Sequence, residues 1–186
     1  MKIVIATPLY PPEIAESAIY SKKISELLTK EGNETTVITY TKIPEEIVGV
    51  KIISINKQMP LPIRLFVYTK KLLKLAQEND IIYAQNGASV ELPVAIVVLL
   101  TSKPLVINTI DEKADEQTRE NTLLRYIQKF AFNKADKIIW EKPLSKPEIL
   151  PFQENPKNET REYEMSWKKH TKSLMEIFKN AKNKTK

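Results

Sequence analysis

The opening stretch MKIVIATPLYPPEIAESAIYS constrains the fold more than any other part of the chain. Residues 2–6 are a short apolar run of the kind buried on both faces of a parallel sheet. A loop rich in proline follows, with Pro8, Pro11 and Pro12. A helix is then expected from about Glu16, carrying Tyr20, Ile24, Leu27 and Leu28 on one face. Strand, loop and helix N-terminus, in that order, form the layout with which nucleotide-binding α/β folds meet an anion. The helix end offers free amides and a partial positive charge.

The alternation continues along the chain. Further strands are expected over residues 34–40, 50–55, 80–84, 104–108 and 136–140. Between them lie helices over 17–31, stopped by Gly32-Asn33, and over 62–78, opened by Pro62. A very apolar helix runs from the Gln85-Asn86-Gly87 loop to Leu100, and another covers 122–134. The segment 111–120 reads only as charged. Strands alternating with helices imply a three-layer α/β/α, Rossmann-like parallel sheet of about six strands. Residues 1–140 are therefore expected to form one domain. Residues 141–161, with Pro143, Pro147, Pro151 and Pro156, read as a proline-rich linker. A last helix is expected over 162–182, with Trp167, Thr171, Leu174 and Phe178 forming one apolar stripe. That helix should pack back on the domain and close it, leaving 183–186 as a frayed tail.

Composition narrows the chemistry. The chain has no cysteine, so disulfides, thiol catalysis and Cys-based metal sites are excluded. His170 is its single histidine, which rules out zinc sites built from several imidazoles. No Gly-x-Ser-x-Gly elbow accompanies it. On the basic face of the last helix, His170 reads as solvated rather than as a ligand. No metal and no cofactor is expected. Three glycines stand where average usage predicts roughly a dozen, so phosphate loops of the P-loop or dinucleotide type are missing. Low glycine with 28% charged residues fits a thermostable, designed or consensus-like sequence.

The net charge of +6 is concentrated at one end. The last 26 residues hold eight lysines or arginines against three glutamates, which accounts for five of those charges. Nucleic-acid binding ranks last, because the apolar stripe already claims Trp167 and Phe178. The longest apolar run, 92–100, is about half of the roughly 20 residues a membrane span needs, so no transmembrane segment is expected. Nor does the start fit a secretory signal. Cytoplasm is the default location. Segment 59–66 (MPLPIRLF) leaves a peripheral membrane contact open, although a loop and helix start packed on the sheet is the preferred reading.

The ordered set YPPEIAE, YSKKISELLTKEGNETTVITY, GVKIISI, DIIYAQNG, KPLVIN and NKADKII resembles the N-terminal half of family-four-like retaining glycosyltransferases of GT-B fold, over roughly residues 1–140. The final EMSWKKHTKSLMEIFK resembles the family's C-terminal helix, which crosses back onto that half. The resemblance implies an acceptor-side domain. The second domain, which binds the nucleotide sugar and supplies a Glu-x7-Glu motif, has no counterpart here. It further implies an isolated domain, truncated or engineered, that is inactive alone. The alternative is an acceptor-binding subunit of a split enzyme, working with a separate donor-binding chain or a second copy of itself. A sugar acceptor is the implied small partner.

The departures fall on the site. Where the family's loop has two glycines, this chain has Ala15 and Glu16. Glu16 supports the helix by roughly 0.3–1 kcal/mol but puts negative charge where a diphosphate would sit. Glu16, Ser17, Asn86, Gly87 and Asn108 follow strand ends or open a helix, and they are the ligand-binding candidates. Asp111 and Glu112 are the paired carboxylates of that edge. A general-base role for them competes with simple surface charge, which is the preferred reading. Gly87 serves equally well as a turn requirement.

Overall fold

The central strand β1 (Lys2–Ala6) explains the rest of the architecture. Ile3 and Ile5 point to one face and Val4 and Ala6 to the other, and all four are inaccessible to solvent. Both faces must therefore be covered. The computed structural model describes residues 1–140, 142–143 and 156–184, with the side chains of 156–160 excepted. In it, β1 pairs in parallel with β2 (Glu34–Thr39) and β4 (Ile81–Gln85). Strand β3 (Val50–Ser54) lies outside β2, while β5 (Leu105–Asn108) and β6 (Lys137–Ile139) extend the other side. The order is β3-β2-β1-β4-β5-β6, all parallel. Successive crossovers run outward from β1 in both directions. The strand order thus reverses between β1 and β4, and a crevice opens beyond their carboxyl ends.

One face is covered by α1 (Glu16–Lys30) and α6 (Pro156–Lys184). Tyr20, Ile24 and Leu28 of α1 and Trp167, Leu174, Phe178 and Ala181 of α6 form one core with Ile3, Ile5 and Tyr83. Helix α1 ends where Gly32 takes φ 81°, a left-handed turn that returns the chain to β2. The last helix begins within the stretch expected as linker and runs on to Lys184. Residues 144–155 of that stretch lie outside the described residues. Lys182 near its end pairs with Asp80 at 2.9 Å. Asp80 also accepts the Lys2 amide at 2.8 Å, and this bond, together with Lys182, holds its carboxyl below the usual range.

The other face is covered by α2 (Leu61–Glu78), α3 (Ala88–Thr101) and α5 (Thr122–Lys134). Helix α3 is apolar nearly all round because it lies between α2 and α5. Pro93 within it has no N–H for the Ser89 carbonyl one turn back. The Tyr40 hydroxyl supplies the missing donor at 2.9 Å. This phenol, stacked on Tyr68 with ring centroids 4.6 Å apart, fastens β2's end to α3.

The segment that reads only as charged is in fact a helix, α4 (Glu112–Glu120). Its start is set by Asp111, whose side chain accepts the Ala114 amide at 3.1 Å. The next start is set in the same way, with Asn121 Oδ1 accepting from Leu123 and Leu124 at 2.9 and 3.2 Å. Of α4's nine residues only Thr118 is buried, so no apolar periodicity announced it.

Candidate functional site

The carboxyl edge of β1, β4 and β5 brings most of the expected residues together. Ser17, in the first turn of α1, donates to Asp111 Oδ2 at 3.2 Å. Asn86 follows β4 and is fully buried. Its Oδ1 accepts the Asp111 amide at 2.9 Å, and its Nδ2 donates to the Asp111 carbonyl at 2.8 Å and to Asp115 Oδ1 at 3.0 Å. The Asn86 amide in turn donates to the Asn108 carbonyl at 3.0 Å. Gly87, with φ 127°, turns the chain into α3 through a conformation that side chains disfavour.

Glu16 and Glu112 stand at the mouth of this edge. Lys142 joins them, its Nζ 3.2 Å from Glu16 and 2.9 Å from Glu112. Desolvation works against the Lys142 ammonium, but the two carboxylates outweigh it and raise its pKa. The hydrogen bond from Lys142 likewise holds Glu112 below its usual range. The mouth is thus carboxylate-rich, and Lys142 there is already shared between two acids.

Asn108 goes elsewhere. Its side chain lies on the α1/α6 face, where Nδ2 donates to the Tyr83 hydroxyl at 2.6 Å. Tyr83 lies 2.5 Å from the Tyr20 hydroxyl, which is 2.6 Å from His170 Nε2. Asn108, the two phenols and the imidazole thus form one continuous hydrogen-bonded chain, with Asn108 as the donor at its inner end. Burial raises both phenols' pKa above the usual range, so the chain stays protonated. His170 was expected to be solvated on the basic face. It is instead turned inward, its ring edge-on to Tyr20 at 5.7 Å. The reason is position: His170 lies one turn from Trp167 and Leu174, on the margin of the stripe that docks α6.

Several residues of this edge were not foreseen. Thr7 Oγ1 is 2.8 Å from Gln85 Oε1 and accepts from Ser21 at 3.0 Å, closing the floor between β1, β4 and α1. Lys142 lies in the stretch read as linker. Glu91 is fully buried in the first turn of α3, and burial pushes its carboxyl up to about 7. Its signal was present in the sequence, as the one acid inside the apolar run 88–100. The segment 59–66 is a further correction. Leu61, Ile63 and Phe66 are exposed at the start of α2 rather than packed on the sheet. A shallow groove on the outer flank of α1, lined by Pro11, Pro12, Ile14, Ile19, Lys22 and Tyr163 among others, includes none of the expected site residues. Among the described residues no group of three or more Asp, Glu or His side chains is placed to hold a metal ion.

No protein-family model matches this sequence, and no curated protein matches it. Solved structures do share its fold. Anabaena Alr3699/HepE in complex with UDP superposes with a TM-score of 0.52 at 20% identity, and its complex with UDP and glucose gives 0.51 at 22%. A Listeria monocytogenes structure assigned as a UDP-N-acetylglucosamine 2-epimerase gives 0.51 at 14% identity. In each case the match covers 74% of this chain and 37% of the other. The chain has the Rossmann-like α/β architecture of one GT-B half, and it spans well under half the length of the molecules it resembles.

Proposed function

We propose that this chain is the acceptor-side half of a GT-B-type glycosyltransferase and does not turn over nucleotide sugars by itself. The observation that carries this reading is the Glu16–Lys142–Glu112 bridge across the mouth of the β1/β4 crevice. A nucleotide diphosphate approaching the α1 N-terminus meets two carboxylates whose shared ammonium is already engaged. Asp111 and Asp115 stand just behind them on the Asn86 amide. Like charge at this distance opposes the anion that the helix end would otherwise attract. The HepE structures contain UDP in chains of which this match covers 37%. A second, nucleotide-binding domain, in another chain or beyond these residues, would complete the site. Glu16 and Asp111 would then face the acceptor, with the buried Ser17 and Asn86 holding Asp111 in place, Gly87 shaping the loop and Asn108 serving from behind. The exposed Trp140, just past β6, offers such a partner an apolar foothold.

Calorimetric titration with UDP-glucose, UDP-N-acetylglucosamine and GDP-mannose tests the reading. The expected result is no saturable heat and no sugar release with simple glycoside acceptors. A dissociation constant below about 1 mM, or measurable turnover, overturns it.

The start of α2 fits a lipid-linked acceptor. Leu61, Ile63 and Phe66 are exposed there, and the solvent side of the same helix carries Lys70, Lys71 and Lys74. Apolar tips beside lysines suit an anionic membrane surface. Cosedimentation with vesicles of about one-third phosphatidylglycerol should exceed that with neutral vesicles, and Phe66→Ser should abolish the difference. Equal binding to both lipids, or none, removes the membrane from the reading.

A further inference from the structure

Glu91 is the only carboxylate among the described residues that is fully buried, and neither of its oxygens closes a hydrogen bond. It sits in the first turn of α3, where Asp115 of α4 and Gln128 of α5 bear on it. Around it the Gly87 amide and the Gln128 carboxamide of α5 lean toward the ionised form, while Asp115 of α4 opposes it. No cation faces it. Lys113 and Arg119 of α4 and Lys129 of α5 are exposed to solvent. On its sheet side β4 presents Ile82 and Ala84, and α2, packed along α3, contributes Tyr68, Leu72 and Ala76 to the same core.

We infer that α4 is a lid over Glu91 and Asn86, and that it lifts when Glu91 loses its proton. An ionised Glu91 needs water or closer donors than the Gly87 amide and the Gln128 carboxamide, neither of which closes a hydrogen bond to it. Opening α2 or α5 away from α3 would expose a continuous apolar core. Opening α4 exposes little, since Thr118 is its only buried residue. What holds α4 down is polar: the two Asn86 bonds to Asp111 and Asp115, the returning Asp111 amide, Ser17 on Asp111, Lys142 on Glu112, and Gln128 donating to Asp115 at 3.3 Å. Asp115 is both the latch and the like charge nearest Glu91. Ionisation therefore weakens the contact that keeps the lid shut and lets water reach the carboxylate. Lifting α4 releases both ends of the Asn86 amide and uncovers Gly87, at the strand edge where a ligand would enter. Burial raises the Glu91 pKa to about 7, which puts the transition near neutral pH.

Hydrogen exchange of the intact chain tests the lid without any ligand, so its outcome is independent of the glycosyltransferase reading. After correction for intrinsic exchange, amides of 112–120 should lose about tenfold or more of their protection between about pH 6 and about pH 8, while β1 and β4 amides keep theirs. In Glu91→Gln the α4 protection should not change across that range. In Asp115→Asn the loss should move to lower pH, because a like charge has been removed. Protection of α4 that is independent of pH in the natural chain, or equal loss in Glu91→Gln, overturns the proposal. So does loss spread evenly over the sheet, since that is global unfolding rather than a lid.

Discussion

Replacing Glu91 with glutamine should raise the stability of this fold at about pH 8 by up to about 3 kcal/mol, and leave it nearly unchanged at about pH 4. The carboxyl is pushed up to about 7 in the folded protein, from an ordinary value of 4.5. Below the lower value both folded and unfolded chains hold the proton, and Glu91 costs nothing as an acid. Between the two values the unfolded chain releases its proton while the folded one keeps it, so stability falls as pH rises. Above about 7 both have released it, and the full cost of ionising Glu91 in the native state, met by burial or by opening α4, remains. The interval between the two values corresponds to about 3 kcal/mol at about 1.4 kcal/mol per pH unit. Glutamine keeps the shape and cannot ionise. Urea unfolding of the two proteins at several pH values measures the difference directly. A gap that does not widen from acid to alkaline pH means that Glu91 is solvated in the native state.

Truncating Phe178 to alanine should cost about 3–5 kcal/mol, in the range for aromatic deletions from a core. Phe178 is fully buried near the end of α6 and meets Tyr83 edge-to-face at 5.2 Å. Its loss leaves a cavity against β4 and loosens the helix that holds His170 on the Tyr20–Tyr83–Asn108 chain. Met165→Ala, on the same helix but 59% exposed, is the matched control and should change stability by no more than about 0.5 kcal/mol. Urea midpoints of the two variants separate the outcomes. Equal, small losses would mean that α6 contributes little to the folded state and that the α1 face tolerates being uncovered.

Expectation and structure differ mainly where polar residues make the structure. The inner strands β2, β1, β4 and β5 carry apolar or β-branched runs buried on both faces, a pattern that is visible along the chain because it depends on each residue's own transfer free energy. Helix α5 begins and ends where its pattern says, since Asn121 caps it locally. Helix α4 has no apolar stripe. Its existence depends on the Asp111 cap and on Asn86, which is 25 residues away from Asp111. The inward turn of His170 depends on Tyr20, 150 positions earlier. Lys142 bridges Glu16 and Glu112 from a stretch with no periodicity to read.

The sequence by itself therefore determined the parallel α/β sheet, the apolar stripe of the last helix and the acidic first turn of α1 at Glu16. These follow from periodicity and residue type, which act through neighbours in the chain. Only the tertiary structure decided which carboxylates share Lys142, that Asn108 turns away from the crevice, and that Glu91 is buried without a partner. Those outcomes arise from distances between residues far apart in the chain. Hydrogen bonds and charges act over a few ångströms, and no local pattern encodes which distant group will arrive within that range.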